Sequence, residues 1–250
     1  DGADGDDGVV PGKIEGTNFT GSLLVGHSTT GTLNASLQNT GVGLQCLDAL
    51  STADYNTAIG FQAGSAINTG NKNVIAGWQA GDHITSGGNN VAMGYRAATA
   101  VQTTSNNVAI GSDALLKATG TGNVGVGKQA GAEIVGGDYN VSLGYQAGNN
   151  ITTGSGNVVI GNADVSSATG DDQLSISDGE DGSVVWITGD SSGNISNGST
   201  AINIAGKQTI WVPANAMTPT ASNGCAAVAT VETTSGRPDL YVLDFDDGSD

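Results

Sequence analysis

The chain has 250 residues, 41 of them glycine, and its aromatic content is 3 Trp, 5 Tyr and 3 Phe. Large side chains fill most globular cores, so this composition argues against an ordinary globule and for an interior that is thin or is completed by another copy of the chain. The formal charge of −17, with no basic stripe to displace counterions from phosphate, argues against nucleic acid and against an anionic membrane surface as partners.

The chain opens on DGADGDDG, with glycine at positions 2, 5 and 8. This Gly-X-Y pattern fits the axis of a collagen triple helix, where only glycine is accommodated. A flexible acidic linker over 1–8 is the other reading. A lead-in segment over 9–38 follows, containing SLLVG from Ser22.

A five-residue phrase then recurs eight times. It begins at Asn39 (NTGVG), Asn56 (NTAIG), Asn73 (NVIAG), Asn90 (NVAMG), Asn107 (NVAIG), Asn123 (NVGVG), Asn140 (NVSLG) and Asn157 (NVVIG). The spacing is 17 residues throughout, apart from one interval of 16. SLLVG sits 17 residues before Asn39 and reads as a degenerate first turn. Fixed periodicity of this kind is the signature of a repeat architecture.

Within the phrase, Thr or Val is second, a small residue is usually third, and Val42, Ile59, Met93, Ile110 and their equivalents are fourth. Alternation of this kind predicts a short strand with one bulky and one small face. The bulky fourth column is expected to point inward. In the third phrase, where Ile75 precedes Ala76, the other position is expected to supply that side chain.

Glycine ends each phrase, as a turn with positive φ requires. Beyond it come a column of Cys46, Ala63, Ala80, Ala97, Ala114, Ala130 and Ala147, and an aliphatic column running from Leu50 and Ile67 to Ile151. Seventeen residues are too few for a helical hairpin repeat, and this density of glycine opposes helix. The expected fold is all-β: a parallel β-roll or β-solenoid over 39–165 with coils of ~17 residues. Each coil holds two short strands and rises by roughly 4.8 Å. Disorder is the alternative for a Gly- and Ser-rich tract, but disorder does not require an aliphatic residue at one phase through eight repeats.

The stacked N-V-A-I-G-x-x-A-G residues resemble the head repeats of trimeric autotransporter adhesins, over about half the chain, with a longer period. Similar repeats occur in tail fibres of bacteriophages, particularly marine ones. The resemblance implies a left-handed parallel β-roll assembled as a homotrimer around a common axis.

Downstream, a β-rich connector over 166–206 includes GSVVWITGDSSGNIS from Gly182 to Ser196, similar to a short β-segment near the C-terminal parts of phage tail fibres. The start of a C-terminal β module over 207–250, with KQTIWVPANAMTPTASNGCAAV and then GRPDLYVLDFD, resembles a module of marine phage structural proteins. The acidic Asp-Gly start and the acidic end read as a piece of a longer polypeptide. No apolar run approaches the ~20 residues of a membrane span, so no membrane insertion is expected in this stretch.

Residues able to carry chemistry are few. His27 and His83 are the only histidines, lack neighbours at metal-ligand spacing, and read as surface or turn residues. Cys46 and Cys225 are too few for a disulfide framework or zinc site and read as small buried apolar residues. Glu180 and Asp181 are candidates for a paired acid and base on a glycan, but a solvated acidic turn is the simpler reading. Asp244, Asp246, Asp247 and Asp250 have the oxygen density of a calcium loop without its spacing and read as another acidic turn.

No catalytic, cofactor-binding or metal-binding residue is therefore assigned. One column is singled out: Leu44, Phe61, Trp78, Tyr95, Ser112, Lys128, Tyr145 and Asn162, beside Gln45, Gln62, Gln79, Arg96, Asp113, Gln129 and Gln146. Aromatics beside amides suit a trimer seam or a sugar-binding strip, and the seam is the expectation.

The function expected from these features is a structural fibre or appendage of a phage virion. Its partners are copies of itself, other virion proteins and a host surface glycan or protein. A bacterial trimeric surface adhesin and a tailspike depolymerase are the alternatives.

Overall fold

The computed structural model describes residues 12–16, 19–26, 36–196, 228–232 and 238–242. The expected N-terminal stalk or linker, His27, Cys225 and the acidic stretch from Asp244 to Asp250 lie outside the described residues. Among those that are described, every regular element is a β-strand.

The lead-in forms β1 (Gly12–Gly16), β2 (Phe19–Val25) and β3 (Ser36–Leu37). One three-residue strand per phrase follows: β4 (Thr40–Val42), β5 (Thr57–Ile59), β6 (Val74–Ala76), β7 (Val91–Met93), β8 (Val108–Ile110), β9 (Val124–Val126), β10 (Val141–Leu143) and β11 (Val158–Ile160). Then come β12 (Leu174–Ser177), β13 (Val185–Gly189) and β14 (Ile195–Ser196).

β2 and β4 to β12 stack in one parallel row, giving about nine coils. Register is kept by phase: Leu24 faces Gly41, Ala58 faces Ile75, and Ala92 faces Ala109. The chain is a parallel β-solenoid. The row runs past the eight phrases at both ends, since β2 carries the degenerate SLLVG turn and β12 lies parallel to β11. Antiparallel hairpins finish it, with β1 on β2 at one end and β13 on β12, then β14, at the other.

Three columns make the interior. The third residue of each phrase, the Ala/Cys column and the aliphatic column are all buried. Each fully buried Ile or Leu contributes about 1.5–3 kcal/mol relative to exposure. The expected orientation of the strand is reversed: its small residue faces inward, while the second and fourth residues face outward. Ile75 is accordingly no exception in orientation. It occupies the same inward position as Ala58 and Ala92, and a larger side chain simply fills it.

The second expected strand does not form. Gln62 and Gly64 both take positive φ, +56° and +57°, and alternating left-handed residues cannot hold an extended strand. The backbone still pairs with the next coil, because Gly64, Ala66 and Asn68 donate to the carbonyls of Ala80, Asp82 and Thr85 at 3.0, 3.2 and 3.0 Å. At the other corner, Gly60 has φ +133°, and a Cβ there would lie 2.6 Å from the Gly77 carbonyl oxygen of the next coil. Only glycine fits that spacing.

The asparagine that opens each phrase is fully buried. Its Oδ1 accepts the backbone N–H of the next asparagine, as between Asn56 and Asn73 or Asn90 and Asn107, both at 3.0 Å. Its Nδ2 donates to a corner carbonyl, such as Gly87 from Asn73 at 2.9 Å. Ser22 Oγ accepts from Asn39 at the top of this spine, and Gln173 takes the asparagine position at the bottom, donating to Asn157 Oδ1.

The chain divides into two compact units, 1–200 and 201–250. The second unit carries β15 (Val228–Glu232) paired antiparallel with β16 (Pro238–Val242).

Candidate functional site

The solenoid presents two outward surfaces of different chemistry. The first is the outer face of the strand row. It carries Thr or Val from the second column and Val42, Ile59, Ala76, Met93, Ile110, Val126, Leu143 and Ile160 from the fourth, with no charged side chain in either. Ile59 is 52% exposed. A continuous apolar face of this length is unusual for a surface left in water.

The second surface lies past the glycine corner. Phe61, Trp78 and Tyr95 are 40%, 53% and 38% exposed. Their rings follow one another at 6.4 Å and 5.1 Å between centroids, tilted by 57° and 44°, within the range of favourable aromatic pairs. Arg96 lies over the Tyr95 ring at 5.7 Å, and Lys128 over Tyr145 at 6.0 Å.

Beside the rings runs an amide ladder. Gln62 Nε2 donates to Gln45 Oε1 at 3.0 Å, Gln79 to Gln62 at 2.9 Å, and Gln146 to Gln129 at 3.1 Å. Every member of this column from Gln45 to Gln146 has a φ between +52° and +59°, although none is glycine. A left-handed conformation costs a residue with a Cβ about 1–2 kcal/mol, so the side chain is retained against backbone preference.

The remaining sequence candidates stand apart from both surfaces. His83 is exposed, with Nδ1 3.0 Å from the Asp82 carboxylate. No group of His, Cys, Asp or Glu among the described residues is arranged to hold a metal ion. Cys46 is buried in the alanine column, its Sγ 3.2 Å from the Ala58 carbonyl oxygen. Burial pushes its thiol up to about 12, against a smaller opposing effect of a backbone hydrogen bond from Val42.

Glu180 and Asp181 lie on the exposed turn between β12 and β13. That turn is organised by Asp178, whose carboxylate accepts the N–H groups of Val184, Gly182, Asp181 and Glu180. These bonds, Val184 first, hold the Asp178 carboxyl below its ordinary value. Ser183 does the same for Asp181, which favours the ionised form rather than a proton donor.

The adjacency of the aromatic and amide columns is legible in the sequence. The roles of the opening asparagine, whose partner lies a whole coil away, and of Asp178 are not. The reappearance of Asn at every coil, at a buried position, was the signal for the spine. No family model, curated protein or solved structure matches the chain. What fold and surface define is a repeat-built β-solenoid with an apolar strand face and an aromatic–amide corner.

Proposed function

We propose that the chain is a structural segment of a bacteriophage virion fibre, assembled as a homotrimer through the outer face of its strand row. One observation carries this reading: an uncharged aliphatic strand face runs the length of the solenoid and stays open to solvent in a single chain. Association of three copies removes that face from water, and closed symmetry uses the same patch on each. Stacked coils that each contact only their neighbours build length with little sequence complexity, which suits a spacer. The resemblance of Gly182–Ser196 to a phage fibre β-segment supports a virion over a cell surface, and β13 and β14 form an antiparallel pair there.

Light scattering under native conditions tests the assembly, with an expected mass about three times the 24.6 kDa of one chain. A monomer would sink the trimer and leave the solenoid. Detection of the chain in purified virions tests the placement.

A further inference from the structure

We infer that the corner strip of Phe61, Trp78 and Tyr95, with Gln45, Gln62 and Gln79, binds an extended neutral glycan lying along the coil axis. The inference rests on the strand face being taken by copies of the chain, which leaves the corner strip on the outside of the assembly.

The two surfaces differ in the way their occupants would. The strand face is uniformly aliphatic or Thr, as contact between copies requires. The corner strip sets a column of rings beside a column of amides, and sugars present the matching pair: apolar C–H faces for rings and hydroxyls for amides. The rings are spaced at 6.4 and 5.1 Å, about one sugar unit per coil. The rings are tilted rather than stacked flat on one another, and Trp78 is the most exposed of the three.

The amide ladder has capacity to spare. Each glutamine has two N–H donors and an oxygen with two lone pairs. Gln62 uses one donor on Gln45 and accepts one bond from Gln79, so a donor and an acceptor site remain for hydroxyl groups. Glycine at these positions would relieve the positive φ, yet a long amide is kept at Gln45, Gln62 and Gln79.

Charge points the same way. Across these coils the two columns hold no acid and one base, Arg96, in a chain with a formal charge of −17. A neutral ligand meets no repulsion there. A straight column further selects a β1→4-linked chain, which extends as a ribbon, over an α1→4-linked chain, which coils away from a flat strip.

The test is calorimetric titration of the native chain with cellohexaose, chitohexaose and maltohexaose, with light scattering on the same samples. Saturable binding of cellohexaose or chitohexaose is expected, with none of maltohexaose. Trp78→Ala should weaken binding roughly tenfold, whereas Trp186→Ala on the C-terminal hairpin should leave it unchanged. No binding of either β-linked hexaose at millimolar concentration overturns the inference, as does undiminished affinity in Trp78→Ala. A trimer that binds no glycan sinks the strip and leaves the fibre. A glycan-binding monomer keeps the strip and sinks the trimer. Loss of the trimer in Trp78→Ala would make the strip a seam and overturn the inference.

Discussion

Each asparagine in the middle of the spine ties its side chain to two backbone groups of the coil that follows, and this sets the energetic scale of a single residue. Asn90 Oδ1 accepts from the Asn107 N–H, and its Nδ2 donates to the Thr104 carbonyl, both at 3.0 Å. Asn90→Ala strands both groups in a buried site, at a cost of roughly 2–5 kcal/mol, and a clear fall in thermal midpoint is expected. Ser142 is the opposite case. It sits in the small inward column, and its Oγ is buried with no hydrogen-bond partner. Ala fills the same column at Ala58, Ala92 and Ala109, so Ser142→Ala removes a desolvated hydroxyl and should stabilise by about 1 kcal/mol. Thermal unfolding of the two variants side by side checks the pair of opposite signs.

At the scale of the element, neighbouring coils share one thin interior by exchanging volume. Where large side chains crowd the strand it carries glycine: a Cβ on Gly41 would lie 2.5 Å from Leu24 Cδ2 of the neighbouring strand and 3.3 Å from Leu47 Cδ1 of the corner, and one on Gly125 would lie 2.9 Å from Leu115 Cγ. Where the strand supplies the bulk, the corner yields instead. A Cβ on Gly64 or Gly81 would come within 3.0 or 3.1 Å of Ile75 Cδ1. Interiors packed this closely respond to single methylenes.

The turn that ends the parallel row depends on charge as well as shape. The carboxyl of Asp178 is lowered because four N–H groups favour its ionised form, so its contribution is present above the ordinary carboxylate range and lost as pH falls through the lowered value. A carbon-13 titration should place its midpoint below that of an unstructured aspartate. Asp178→Asn should remove the corresponding acid-dependent loss of amide protection at Val184. A midpoint at the ordinary value would mean that the four bonds do not persist in solution.

The whole molecule has to manage a long exposed row and two open ends. An antiparallel strand flanks the parallel row at each end, and β14, the outermost strand on the C-terminal side, has only two residues. So short an outer strand limits end-to-end pairing on that side, while the strand face stays open along the row. If that face joins three copies, a charge placed on it must prevent assembly without unfolding the coil. Ile59 and Ile110 both point outward, so Ile59→Lys with Ile110→Lys should give a 24.6 kDa species with an unchanged circular dichroism spectrum. An unchanged trimer mass in that variant would place the contact elsewhere.

The period, the glycine corners, the Ala/Cys column and the aliphatic column were all legible in the chain, because each is a property of residue type at a fixed phase. Together they determine a parallel solenoid of 17-residue coils. Alternation along NVAIG also shows that the strand has two different faces. It does not say which one looks inward. That depends on the gap between the strand and the opposite wall, and the buried Ile67, Ile84 and their equivalents already fill most of it, so the small residue turns in and the bulky ones turn out. The second expected strand fails for a related reason, since left-handed φ at a glutamine is set by stacking and ladder bonds with other coils rather than by local preference. The asparagine spine likewise exists only between residues one coil apart. Sequence by itself determined the repeat and the columns; tertiary structure decided their direction, because direction is fixed by the width of the interior and by bonds to neighbouring coils.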